Sequence, residues 1–201
     1  PKIDKAQPLY LSGDELVYDQ RGNAVTARGN VEIYYNNFIL TADQVTYDRS
    51  ANTLTAIGNV TLKEPNGNIV RAERYTLTDD FRDGFVQQLS VVARDDTRIA
   101  ALRANRRDGN VTEFEQGKFT PCKSDPGSPP LWCVTATRIV HDQRAATLTY
   151  QDAFFEVFGV PVLYMPYFQH PDPSVKRKSG FLLPEYMSST NIGFGIEVPY
   201  Y

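Results

Sequence analysis

Four residue types are scarce in this chain: its 201 residues include one Trp, two Met, two His and two Cys. The histidines, His141 and His170, stand far apart with no metal-ligand spacing around them, so no metal centre and no cofactor are expected. Two cysteines suit one disulfide in an oxidising compartment and are equally compatible with two free thiols. A signal peptide is missing, so an exported origin requires that the numbering begin after cleavage. No run of 18 apolar residues occurs, which excludes a transmembrane helix but not a membrane β-barrel, whose strands alternate and score weakly. A phosphate loop, a Gly-x-Ser-x-Gly elbow and a Cys-x-x-Cys pair are all lacking. Net charge is −3 with both signs dispersed, and no basic patch interleaves with aromatics, so no nucleic-acid partner is expected. The acidic residues fall mostly in turns (Asp19, Asp48, Asp79, Asp80, Asp95, Asp96, Asp142), where side chain-to-backbone hydrogen bonding accounts for them. The expectation is therefore a protein that carries a ligand, not an enzyme.

What is plentiful points one way. The chain has 12 Tyr and 11 Phe, with many β-branched residues and few sustained helix formers. That composition favours strands. The length allows one domain with a real core, or one domain and a small appendage.

An internal repeat organises the first half. Residues 18–31 read YDQRGNAVTARGNV and residues 47–60 read YDRSANTLTAIGNV, an offset of 29. Asp14 and Asp43 extend the match upstream, and fainter echoes occur at 72–86 and 136–150. Fixed-period self-similarity signals stacked supersecondary units. Each unit reads as two strands about a polar turn. Gly29-Asn30 breaks or bulges the strand, since both residues tolerate φ > 0. Val31, Ile33 and Tyr35 share one face, and after Asn36-Asn37 the chain resumes with Phe38, Leu40 and Ala42. Period-2 alternation between close turn signals marks a sandwich, jelly roll or open barrel. Only residues 99–107 (IAALRANRR) have local helical character, and another strand is the preferred reading there. Inward aromatics such as Tyr35, Phe38, Phe85, Phe114 and Phe119 fit a closed core, the default, or an open groove. Periodicity does not separate the two.

The texture changes near residue 118. FTPCKSDPGSPPLWC reads as a constrained loop, and a local Cys122–Cys133 bridge across it would stabilise by about 3 kcal/mol in the chain-entropy model. Residues 153–168 (AFFEVFGVPVLYMPYF) are the most apolar stretch, but Gly159, Pro161 and Pro166 forbid a regular helix. HPDPSVKRKSG (170–180) reads as a linker whose Lys176, Arg177 and Lys178 are either solvated or set at a membrane boundary.

The block 159–184, GVPVLYMPYFQHPDPSVKRKSGFLLP, resembles the LptD (OstA, Imp) family of outer-membrane lipopolysaccharide-assembly proteins. It carries P-V-x-Y-x-P-Y, then P-D-P with a basic linker, then S-G-F-L-x-P. The Tyr-Asp, Thr-Ala and Gly-Asn-Val repeats resemble that family's periplasmic OstA-type domain, shared more loosely with LptA and LptC. The resemblance implies an all-β fold: a V-shaped β-jelly-roll of repeated antiparallel strand pairs over 1–168, a linker over 169–179, and the truncated start of an outer-membrane β-barrel over 180–201. It implies a hydrophobic trough lined by Ile33, Tyr35, Phe38, Leu40, Leu54, Val60, Leu62, Phe85 and Phe114. Through that trough, lipopolysaccharide acyl chains pass towards the barrel. It further implies LptA at the N-terminal edge by strand pairing, LptE through the barrel, and a location at the outer membrane, mainly periplasmic for this portion. Pro184 and Pro199 match family prolines near a lateral gate. Phe-Thr-Pro-Cys at 119–122 resembles the family's cysteine motif, which implies a long-range partner for Cys122 as the alternative to Cys133. The competing reading is a soluble LptA-like bridge acting by edge-strand assembly, against which SGFLLPEY argues. A carbohydrate-processing β-solenoid enzyme would need clustered carboxylates, and none are seen.

Overall fold

The computed structural model describes residues 9–20, 22–78, 83–93, 97–123, 128–172, 185–189 and 193–197. In chain order the strands are β1 (Tyr10–Ser12), β2 (Glu15–Asp19), β3 (Ala24–Tyr35), β4 (Phe38–Asp48), β5 (Thr53–Lys63), β6 (Ile69–Thr78) and β7 (Gly84–Val92). They continue as β8 (Arg98–Arg107), β9 (Val111–Thr120), β10 (Trp132–Asp142), β11 (Thr147–Val157), β12 (Val160–Pro171), β13 (Glu185–Ser189) and β14 (Gly193–Glu197). Helix is absent among the described residues. The first twelve strands form one antiparallel sheet in chain order, with β1 and β2 both laid along β3. β13 and β14 make a separate hairpin.

Turn chemistry explains the meander. Asn36 and Asn37 adopt φ of 47° and 65°, as do Phe158 (49°) and Gly159 (79°). Two successive positive φ values give the tight hairpin turn whose twist matches its strands. On the opposite margin, Asp48 Oδ1 accepts from the N–H groups of Ser50 (2.8 Å) and Ala51 (3.0 Å), and Asp142 Oδ1 from those of Arg144 (3.0 Å) and Ala145 (2.9 Å). Asp19 does the same for Gly22 at 3.1 Å. Asp79, Asp80, Asp95 and Asp96 lie outside the described residues.

Midway along the strands the ladder breaks. Pairing of β3 with β4 skips between Arg28 and Val31, β4 with β5 between Thr41 and Gln44, and β5 with β6 between Ile57 and Val60. Gly29 and Gly58 have φ of 72° and 77°, and Asn30 and Asn59 of 45° and 48°. Asp14 and Asp43 lie over these glycines: Asn30 Nδ2 donates to Asp14 at 3.0 Å, and Asn59 Nδ2 to Asp43 at 2.9 Å. A Cβ at either glycine would collide with the carboxylate. Farther along, Gln88, Gln116 and Asp152 take positive φ at the corresponding breaks. A bulge bends its strand and sharpens the twist, so a row of them creases the sheet.

The crease folds the sheet over its own inner face. A strand the length of β8 spans about 33 Å, which would separate the two turn margins of a flat sheet. Instead Arg106, near one margin, meets Glu64 in a turn of the other. The Phe119 ring likewise lies 5.3 Å from that of His170, though the two sit near opposite margins. Ala27, Ile33, Leu40, Ala56, Leu62, Leu77, Ile139 and Tyr150 are buried between the two halves. The outer face carries polar cross-strand pairs, such as Thr26–Thr46 at 3.1 Å and Thr55–Thr76 at 3.3 Å.

Two sequence expectations are corrected here. Phe85 faces outward: it pairs with Thr76 and Asn105, while its neighbour Val86 is the buried residue. And β12 runs through Pro171, so residues 169–171 of the expected linker are strand, with His170 buried opposite Leu148. The segment 99–107 lies within strand β8.

Candidate functional site

The inner face of the folded sheet is the candidate site. Of the nine expected lining residues, Ile33, Phe38, Leu40, Leu54, Val60, Leu62 and Phe114 are buried together, and Tyr35 is partly buried against them. Phe85 is on the other side. The two halves pack closely, leaving a cavity of about 100 Å³ where the margins approach. Its floor is apolar (Val70, Val86, Leu89, Ile99, Ala104, Phe114) and its rim polar (Glu64, Asn68, Thr97, Arg106, Gln143).

One ion pair spans that rim. Arg106 Nη1 donates to Glu64 Oε1 at 2.7 Å, with both side chains largely buried. Glu64 is held in its own turn by Asn66 Nδ2 (3.1 Å) and Asn68 Nδ2 (3.3 Å), and Arg106 Nη2 reaches Gly109 O at 3.5 Å. Arg106 Nε is buried and has no hydrogen-bond partner among the described residues. Beneath the pair, burial pushes the Tyr75 phenol up to about 12, with the charge of Glu64 adding to the effect.

A second cluster fills the interior near β12. Tyr150 Oη and His170 Nε2 lie 2.9 Å apart, and His170 Nδ1 is 2.6 Å from Pro171 O. Phe119 and Phe168 pack against them, and Trp132 lies against Phe119. Burial holds the His170 pKa below its ordinary value and the Tyr150 pKa well above. His141 instead pairs with Asp172 at 2.5 Å. No group of three metal-ligating side chains occurs among the described residues. Sequence spacing gave no sign that Glu64, Arg106 and Tyr75 converge, because only the crease brings them together.

The expected Cys122–Cys133 bridge is not formed; both residues are free thiols. Cys133 is fully buried, and its Sγ donates to Glu156 Oε2 at 3.2 Å. Thr135 Oγ1 (2.8 Å) and Lys118 Nζ (3.5 Å) complete the ring around that carboxylate. Burial, reinforced by the Glu156 bond, pushes the Cys133 thiol up to about 11. Pro184, Pro199, Lys176, Arg177 and Lys178 lie outside the described residues.

The two ends of the sheet differ. At the β1–β2 end no further strand pairs among the described residues, and Leu16 is 59% exposed although its partner Ala27 is buried. At the β12 end stand Pro161, Pro166 and Pro171, with Val162, Leu163, Tyr164 and Tyr167 exposed.

Sequence comparison decides the kinship. The chain is 44% identical over 88 residues to the LPS-assembly protein LptD of Idiomarina loihiensis, covering 44% of this chain and 11% of that one. It is 34% identical over 119 residues to that of Sodalis glossinidius (59% and 15%), and 33% over 126 to that of Yersinia pestis (63% and 15%). The chain is a homologue of part of LptD. It spans between 11% and 15% of the length of these LptD relatives. No family profile matches. Among solved structures, LptH, the LptA-homologous periplasmic component of the Pseudomonas aeruginosa lipopolysaccharide transport device, has a TM-score of 0.44 at 16% identity, covering 52% of this chain and 78% of that one.

Proposed function

We propose that this chain receives lipopolysaccharide at the β1–β2 end and guides its acyl chains along the inner face towards an outer-membrane barrel. The carrying observation is a creased sheet whose inner face is continuously apolar from Leu11 to Phe168, in a chain homologous to LPS-assembly proteins. Each methylene kept from water is worth about 0.8 kcal/mol, so a lipid with several acyl chains needs an unbroken apolar path. Sugars and phosphates stay at the margins, in water. The packed interior is then the unloaded state. Lining by Ile33, Tyr35, Phe38, Leu40, Leu54, Val60, Leu62 and Phe114 belongs to this proposal. So do pairing of an LptA-type bridge with the open edge, a barrel plugged by LptE, and an outer-membrane location.

The test is photo-crosslinking in cells carrying the whole protein, with probes at Ile33 and Phe38 and the outward Phe85 as control. Lipopolysaccharide should be captured from Ile33 and Phe38 and not from Phe85. Capture from Phe85 alone would refute the trough.

A bridging role by edge pairing is the second reading, favoured by the β1–β2 edge, which pairs with no further strand among the described residues. Exposed edges are hazards for an isolated protein and docking surfaces for a strand-paired one. A bridge that carries no lipid would leave Ile33 unlabelled.

A further inference from the structure

Lipid entering a folded sheet from the side must pass between its margins, and an ion pair links those margins. Glu64 and Arg106 are each tied to their own margin, Glu64 by Asn66 and Asn68 and Arg106 by Gly109, so the 2.7 Å ion pair joins one margin to the other. The pair sits on an apolar floor over the 100 Å³ cavity. An ion pair in such a place is close to break-even, because its attraction is offset by the hydration both charges gave up. Parting it returns both groups to water, so it opens more cheaply than an apolar seam of the same area. Once open, the guanidinium has an unused donor: Nε is already buried and unpartnered. Buried donors left unpaired are rare and call for an explanation.

We infer that this cavity is a lateral port that seats a short stretch of one acyl chain, with a carboxylate or ester oxygen of the lipid accepting from Arg106, and that the Glu64–Arg106 pair is its latch. The inference rests on the trough reading and places an entrance along it. The chain's methylenes lie over Tyr75, Leu89 and Phe114, and its oxygen-bearing end stays at the rim. Glu64 holds the guanidinium when the port is empty and yields it to the ligand.

The experiment uses dansyl-labelled myristate as the probe. Glu64→Gln keeps Arg106 but weakens the latch, and should speed uptake by about tenfold, the size of one charge-assisted hydrogen bond. Arg106→Gln should also load faster but hold the probe about tenfold more weakly. The exchanged pair Glu64→Arg with Arg106→Glu should restore slow uptake. Because these changes are partly buried, a photo-crosslinker at Gln143, an exposed residue that lines the cavity from the Arg106 margin, provides a measurement that leaves the latch intact. Capture of the probe from Gln143 supports the port. Unchanged kinetics in folded variants, or no capture from Gln143 while Ile33 is labelled, overturns the port and leaves the trough standing. Loss of labelling at both positions would overturn the trough itself.

Discussion

Gly58 is pressed under the carboxylate of Asp43 while its own φ of 77° sits where L residues are strained. Gly58→Ala therefore meets two penalties, and a loss of about 2 kcal/mol is expected from the left-handed conformation and the contact together. Urea denaturation measures it, and a neutral result would refute the account of the crease. The Gly-Asn bulge was readable in the sequence; the role of Asp14 and Asp43 was visible only as an unexplained match. Phe85 was misread because Phe85 and Val86 are both apolar, and only the partners Thr76 and Asn105 fix which one faces in. His170 makes a pH prediction. Its folded pKa is lowered by burial, so the unfolded chain binds the proton more readily. The stability this contributes is complete above the unfolded value near 6.5 and is lost as pH falls below it. His170→Gln should flatten the dependence of the denaturation midpoint between about pH 7 and pH 5. Among the thiols, Cys122 should react with iodoacetamide in the native protein well before Cys133, whose burial and raised pKa both slow attack. Equal rates would show that Cys133 is not shielded.

Strand β12 has prolines at 161, 166 and 171, spread over its whole length. Asp172 N–H donates to Ala146 O. Since N–H directions alternate along a strand, the nitrogen of Pro171 faces the free side, where it offers no donor. Proline on an edge strand discourages further pairing, whereas β1 and β2 contain none. Among the described residues, the β1–β2 end is thus the better suited of the two to further pairing. Replacing Pro161, Pro166 and Pro171 with threonine should produce concentration-dependent head-to-tail association in sedimentation velocity, absent in the parent. The prolines were read in the sequence as helix-breaking, which was sound. Their place on a terminal strand needed the topology, because nothing local to VPVLYMPYF tells an edge from an interior strand.

Across the whole molecule, the meander pairs each of β3 to β12 with its chain neighbours, as in repeat proteins whose stability is roughly additive. The 29-residue period then has a physical test. Deleting residues 32–60 joins Val31 to Thr61 in phase, and removes one hairpin without turning any side chain to the wrong face. This variant should unfold cooperatively with a smaller urea m-value, in keeping with its smaller buried area. Deleting one residue more should abolish cooperative unfolding. All-β class and repeat units were legible because period 2 and turn chemistry are local. Closure of the interior was not, since it depends on bulges adding up across strands that lie far apart in sequence.

The crease also sets how far the molecule must move to work. From bend to margin, an arm such as residues 31–35 is about 16 Å long at strand rise. Parting the margins by one strand spacing, about 5 Å, widens the angle between the arms by roughly 18°, or about 9° for each arm. Regular strands already scatter by ~15–20° in their backbone angles. The sheet can therefore breathe like a bound book flexing at its spine, with every page still stitched to the next, and no ladder hydrogen bond has to break as the margins part.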